Sequence, residues 1–186
     1  MALKPAPRPP VPGMTVDNEA GGPMPVTVYI ALGSNLDDPV AQVNAGMSAL
    51  AAQPYTELTA RSSLYRTTPH GYADQPDFIN AVVAVKTTLT ARELLAALLA
   101  IELTRGRVRE FPNAPRTLDL DLLLYGDLRM CETGLTIPHP RMHERAFVLA
   151  PLAEIAPRCM IPGHGTVASL AHAVGDAGVI RLRVAA

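Results

Sequence analysis

The segment Arg116-Thr117-Leu118-Asp119-Leu120-Asp121-Leu122 carries the most chemistry in this chain. Its apolar residues favour a strand, and side chains alternate across a strand, so Asp119 and Asp121 share one face and Leu118, Leu120 and Leu122 the other. Aspartate is a poor strand residue, so two in one strand need a reason. Two carboxylates about 7 Å apart at the Cα level on rigid backbone can hold one or two hard cations. Magnesium takes oxygen ligands and keeps waters that substrate phosphates can replace. Two such ions about 3.5–4 Å apart can clamp the oxygens of an in-line displacement. A solvated strand face is the plainer alternative.

Arg105, Arg107, Arg109 and Arg116 fall within twelve residues just upstream. Guanidinium forks match phosphate oxygens and stabilise charge in phosphoryl transfer. A solvated loop or a nucleic-acid patch would use the same residues. The adjacent carboxylates and the formal net charge of −1 favour a polyphosphate carried with its metal. No G-x-x-x-x-G-K-[ST] occurs, so this is not a P-loop enzyme. Phe78 and Asn80 alternate onto one strand face, where an aromatic ring beside a carboxamide suits a planar heterocycle. By itself that pair reads more simply as a core phenylalanine with a strand-edge asparagine. Gly33-Ser34-Asn35 fits an ordinary strand-to-helix turn as well as a functional loop. His139 and His143 are four apart, but no cysteine or third histidine completes a zinc pattern. His139, in the rigid turn Ile137-Pro138-His139-Pro140, could meet a phosphate; His143 reads as a surface residue, and the His70 imidazole is given no role.

These residues need elements to position them. Val26–Leu32 is β-branched and aromatic and reads as a buried strand. Pro39 opens a helix through Val43, Met47 and Leu50, which Pro54 ends. A strand is expected over 56–66, a loop over 67–76 and a second strand over Phe78–Thr88. Thr90 and Glu93 have capping-box spacing for a helix to Arg105, with Gly106 as its stop. The arginine loop 107–116 precedes a strand from Leu118 to Tyr125. After the turn Gly126-Asp127, Leu128–Cys131 is expected to pair back as a hairpin. Helices near 143–156 and 166–174 and a strand Val179–Val184 close the chain. Strands and helices are mixed without βαβα alternation, which implies an α+β domain with a mostly antiparallel sheet and covering helices.

The chain has 186 residues, enough for one domain with its own core. Seven of its 18 prolines lie in the first 25 residues. Residues 1–24 therefore read as a disordered, Pro-rich tail and 25–186 as the folded domain. The tail lacks the apolar region of a signal peptide, and no apolar run approaches a spanning helix, so a cytoplasmic protein without a membrane partner is expected. The near-zero charge argues against a nucleic-acid partner. Cys131 and Cys159 read as free thiols.

Six segments together resemble the 6-hydroxymethyl-7,8-dihydropterin pyrophosphokinase family: YIALGSNL (29–36), SSLYRTTPHG (62–71), DQPDFINAVV (74–83), IELTRGRVR (101–109), PRTLDLDLLLYG (115–126) and LTIPHPRMHERAFVLAPLAEIAP (135–157). The match is collinear from about Val26 to the C-terminal strand. The resemblance implies a ferredoxin-like fold and transfer of the β,γ-diphosphate of ATP, the co-substrate, to the hydroxymethyl group of the pterin in folate biosynthesis. It implies two Mg²⁺ ions bridged by Asp119 and Asp121, and a pterin ring between Phe78 and Phe147 bonded by Asn80 and by loop groups at Thr67, Thr68 and His70, the last two mainly through backbone. Arg107 and Arg116 would hold phosphates and stabilise the transferring group. Leu95, Glu102, Arg109, Leu122, Leu135, Thr136 and His139 match nucleotide-contact positions. The Arg107–Arg116 loop would close over both substrates, and the enzyme is expected to work as a monomer. Leu99, Glu110, Asn113, Gly134 and Pro140 depart from the family's usual residues at positions that touch nucleotide grip and loop closure, and Phe111 stands near the aromatic lost at Asn113. The competing readings are a non-catalytic ferredoxin-like nucleotide- or RNA-binding module, and a two-metal nuclease or sugar-nucleotide transferase.

Overall fold

The alternation of β1 (Val26–Ser34) sorts the molecule into two layers around one sheet. Val28, Ile30 and Leu32 are buried against Val43, Met47 and Leu50 of α1 (Pro39–Ala51) and Leu94, Leu98 and Ile101 of α2 (Ala91–Thr104). Tyr29 and Ala31 face the other way, toward Val148, Leu149 and Leu152 of α3 (Ala146–Ile155) and Val167 of α4 (Val167–Val174). This is a computed structural model, and it describes residues 23–69, 75–107 and 114–183. Among those residues no helix is long and apolar enough to cross a membrane.

The remaining strands are β2 (Thr56–Arg61), β3 (Tyr65–Thr67), β4 (Phe78–Thr87), β5 (Asp119–Tyr125), β6 (Met130–Glu132), β7 (Leu135–Ile137), β8 (Met160–Ile161), β9 (Gly165–Thr166) and β10 (Val179–Arg181). β1 lies between β4 and β5, antiparallel to both. β2 and β3 pair the two ends of β4 on its outer side, and β10 adds to β3. The units β1-α1-β2 and β4-α2-β5 each leave one strand's width for the other, giving two interlocked split βαβ units. That is the ferredoxin-like α+β arrangement. β4 is covered on both faces, which is why its sequence reads as an unbroken apolar run.

β5 carries an irregularity that matters for the site. Tyr29 opposes Leu124 while Ile30 opposes Leu122, so Leu123 is the extra residue of a bulge. The bulge reverses the alternation. Leu120, Leu122 and Tyr125 join the α1/α2 core, and Leu123 and Leu124 join the α3/α4 core. Before the bulge, Asp119 and Asp121 share the α3 face with Leu123. α2 is fixed at its start by the expected capping box of Thr90 and Glu93, and Gly106 follows it at φ 76°.

Several expected elements differ. The strand expected over 56–66 is two strands, because Ser62 replaces ladder bonds with its own: its N–H donates to Val82 O and its Oγ accepts from Val82 N. Leu128–Cys131 does not pair back on β5. Met130–Glu132 pairs instead with Leu135–Ile137 across a turn in which Gly134 takes φ 79°. The helix expected near 143–156 is a 3₁₀ turn, Met142–Glu144, and α3, separated by an extended Arg145. The short β8–β9 hairpin had no sequence signal beyond Gly163 and Gly165. β10 ends at Arg181, and Val184 lies outside the described residues. So does the proposed tail as far as residue 22.

Candidate active site

Strand register places the chemistry. Asn80, Gly33 and Asp119 are direct neighbours across β4, β1 and β5, and Val82, Ala31 and Asp121 form the next row on the same face. The two smallest residues lie on the middle strand, so the floor sinks between the functional side chains. A cavity of about 440 Å³ opens there, walled by Thr67, Thr68, Phe78, Arg107, Arg116, His139, Arg141, Arg145 and Phe147. Gly33 leaves room for its neighbour: a Cβ there would lie 3.1 Å from Asn80 Oδ1 and press on the carboxamide. Asn80 Nδ2 donates to Thr67 Oγ1 at 2.8 Å, which fixes the orientation of the amide.

Asn35 ties the walls together. It is buried; its Oδ1 accepts from Arg116 N at 2.8 Å, and its Nδ2 donates to Gln75 Oε1 at 2.9 Å and to Pro76 O at 3.2 Å. Its own N–H donates to Arg116 O at 3.1 Å. One side chain thus pins both the start of β5 and the approach to Phe78.

Charge is dense. Arg107 pairs through Nη1 with Asp119 Oδ1 and with Glu102 Oε1. Arg116 Nη1 donates to Asp119 Oδ2 at 2.6 Å. Glu102, almost fully buried, also accepts the Leu120 N–H at 2.7 Å. Burial and the Asp119 charge push the Asp121 carboxyl up to about 6, against the opposing pull of Arg145, Arg116 and Arg107. Burial and Arg145 lower His139 to about 4, so it is neutral at physiological pH. Its Nδ1 accepts the Arg141 N–H, which leaves the hydrogen on Nε2. The guanidinium of Arg116 lies 5.2 Å from the Phe78 ring centroid, and that of Arg145 5.5 Å from Phe147.

The donor set fits a hard cation. Asp119 and Asp121 offer carboxylate oxygens from rigid strand positions, and the raised Asp121 group is one that a divalent ion would hold ionised. Among the described residues no group of three or more His, Cys, Asp or Glu could cage a metal. A cation here would therefore take two protein ligands and complete its shell from water and ligand oxygens, as magnesium does with phosphates. The Nε of Arg116 is buried without a hydrogen-bond partner, a donor aimed at nothing in the protein.

Arg107, Arg116, Asp119, Asp121, Thr67, Thr68, Phe78, Asn80, Phe147 and His139 all line this one cavity, as a shared site requires. His70 and Arg109 lie outside the described residues, as do Glu110, Phe111 and Asn113 of the arginine loop. Leu95, Leu122 and Leu135 gather on the other side of β5, in the core beneath α2. Thr136 sits beside them on β7, opposite Cys131. Glu102 is turned to Arg107 and Leu120 rather than into the cavity. Arg145, Arg141 and Gln75 line the cavity without having been singled out. Asn35 was legible only as part of an ambiguous turn.

The model of the family "7,8-dihydro-6-hydroxymethylpterin-pyrophosphokinase" matches residues 29–157. A 2-amino-4-hydroxy-6-hydroxymethyldihydropteridine pyrophosphokinase of Pseudomonas aeruginosa is 47% identical over 155 residues, 83% of this chain and 96% of its own length. The enzyme of the same description from Haemophilus influenzae is 44% identical over 157 residues, 84% of this chain and 98% of its own. Among solved structures, an HPPK-DHPS in complex with substrates matches with a TM-score of 0.69 at 12% identity, over 87% of this chain. Wild-type HPPK-DHPS of Plasmodium falciparum matches with a TM-score of 0.65 at 14% identity, over 80% of this chain. The chain spans only 47% and 43% of those two chains, and at such identity they speak to the fold alone. With close relatives matched along nearly their whole length and the family match spanning most of both layers of the fold, the chain belongs to the 7,8-dihydro-6-hydroxymethylpterin pyrophosphokinase family.

Proposed function

We propose that this pyrophosphokinase of folate biosynthesis moves the β,γ-diphosphate of ATP onto its pterin substrate in the cavity over β1, with Asp119 and Asp121 holding Mg²⁺. The observation that carries the reading is the single cavity that joins this carboxylate pair, two arginines and the Phe78–Asn80–Phe147 group. The pterin ring lies between Phe78 and Phe147. Asn80, its amide set by Thr67, bonds the heterocycle's edge. The hydroxymethyl oxygen attacks the β-phosphorus, the bond from that phosphorus to the α,β-bridging oxygen breaks, AMP leaves with the electron pair, and the hydroxyl proton is released to water. Arg107 and Arg116 hold the phosphates and neutralise charge that builds on the transferring group. His139, neutral and carrying its hydrogen on Nε2, offers one more phosphate donor. Two Mg²⁺ ions bound at Asp119 and Asp121 would supply charge neutralisation and alignment. No side chain need act as a general base, because positioning and electrostatics carry most of such a reaction.

On the nucleotide side, Leu95, Glu102, Arg109, Leu122, Leu135 and Thr136 remain the proposed contacts, which places the nucleoside at the β5 edge between α2 and β7. A non-catalytic RNA-binding module is disfavoured by Asp119 and Asp121, whose charge would repel a phosphate backbone without cations. The direct test is product analysis after incubation with Mg²⁺, ATP and 6-hydroxymethyl-7,8-dihydropterin. Equal amounts of AMP and pterin diphosphate are expected. ADP, or no nucleotide turnover by folded protein, overturns the proposal.

A further inference from the structure

We propose that Arg107 and Arg116 stand in for cations at Asp119, and hand that carboxylate over only when cation and polyphosphate enter together. The inference rests on the reading of Asp119 and Asp121 as a cation site. Both oxygens of Asp119 are taken: Arg107 holds Oδ1 and Arg116 holds Oδ2. A divalent ion approaching Asp119 therefore meets two guanidinium groups where it would bind. The same arginines are those placed to grip phosphate, so a polyphosphate competes with Asp119 for them.

Among the described residues, the carboxylates of the site lie against guanidinium groups. Glu102, Asp119 and Asp121 face Arg107, Arg116 and Arg145. A bare cation at Asp119 would displace a guanidinium from its partner. A bare polyphosphate would draw the arginines off and leave buried carboxylates unpaired, a costly state. Entering together, the two ligands exchange partners with the protein: cation to carboxylate, arginine to phosphate. Each of these carboxylates and guanidinium groups then keeps a partner of opposite charge.

Each arginine is anchored so that it can pivot rather than be lost. Arg107 keeps Glu102 when it leaves Asp119, because it bridges the two carboxylates. Arg116 has its backbone clamped on both sides by Asn35, so only its side chain need move. Its buried Nε has no partner within the protein and would gain one from a phosphate oxygen. Arg116 also lies over the Phe78 ring, so its departure uncovers an aromatic surface as well as a carboxylate.

The test measures Mn²⁺ binding to the full-length chain by water-proton relaxation, which registers the slowly tumbling protein-bound ion. It is run with and without inorganic tripolyphosphate and needs no turnover. Wild-type protein is expected to bind Mn²⁺ alone weakly and about 10-fold or more tightly with tripolyphosphate, the usual scale of coupling between sites. Arg107→Gln/Arg116→Gln should bind Mn²⁺ alone about 10-fold more tightly than wild type, and gain little from tripolyphosphate. If the double variant does not fold, Arg116→Gln alone should show the same direction. Mn²⁺ binding by folded arginine variants that equals or falls below wild type overturns the hand-off. Asp121→Asn separates the underlying reading: if it leaves binding with tripolyphosphate intact, the cation site itself is wrong.

Discussion

Glu154 and Asp121 are both carboxylates on the α3 side of one sheet, and their surroundings push them in opposite directions. Glu154 accepts from Ser63 N at 3.0 Å, Ser63 Oγ at 2.9 Å, Tyr65 Oη at 2.9 Å and Arg181 Nη2 at 2.9 Å. Burial alone would raise its carboxyl, but these donors outweigh burial and hold it below the ordinary range. Asp121 is buried beside a second carboxylate and is pushed up instead. Glu154 joins α3 to the break between β2 and β3 and to the edge strand β10, so its work is structural. Asp119 and Asp121 join like charges at the floor of a cavity, an arrangement that costs stability unless a bound cation offsets it, as the proposed function requires. α3 serves both regions: Phe147 at its start walls the cavity, and Glu154 near its end braces the sheet.

The largest effect that would test this contrast is catalytic. Asp121→Ala should lower AMP formation by about 10³-fold or more while circular dichroism stays native. Retained activity with Mg²⁺ would place Asp121 with Glu154 as a scaffold residue. Phe147→Ala should weaken pterin binding by about 1–3 kcal/mol, measured by titration. Unchanged affinity would mean that the start of α3 belongs to the scaffold too.

Smaller effects concern stability. Glu154→Gln should destabilise the fold by about 1–2 kcal/mol in urea unfolding, with turnover near wild type. Its contribution is depressed-carboxyl stability, present above the ordinary value of 4.5 and lost as pH falls through the lowered folded value. The gap between variant and wild type should therefore close in acid. Asp121→Asn should do the reverse. A raised carboxyl favours folding most below its ordinary value of 3.8 and loses that advantage as pH rises through about 6. The Asn variant should be more stable than metal-free wild type by about 3 kcal/mol at neutral pH, and equal to it near pH 3. An Asn variant less stable than wild type at neutral pH would dissolve the contrast.

The catalytic half of this comparison was far more legible in the sequence than the structural half. Asp119, Asp121, Phe78 and Asn80 are placed by strand alternation, a local rule that needs no knowledge of neighbours. The network at Glu154 joins Ser63 and Arg181, 91 and 27 residues away, and no local period announces such pairs. The bulge at Leu123 left no trace in a run of three leucines, although it decides which of them faces which core. The hairpin misread at Leu128–Cys131 failed for a related reason. Gly126 and Asp127 signal a turn, but not that the chain leaves the sheet after it and finds its partner in Leu135–Ile137. Asn35 and Arg145 bear on the cavity by placement alone: one clamps two loops just after β1, and the other lines the cavity because Arg145 is extended between two helical turns.

The most direct test of the account is a crystal structure of the enzyme with Mg²⁺, a non-hydrolysable ATP analogue and 6-hydroxymethyl-7,8-dihydropterin. The account predicts metal density on Asp119 and Asp121, Arg107 and Arg116 moved from Asp119 to phosphate oxygens, and the pterin between Phe78 and Phe147. Arginines still paired with Asp119, and no metal on either aspartate in a complex with both ligands bound, would contradict it.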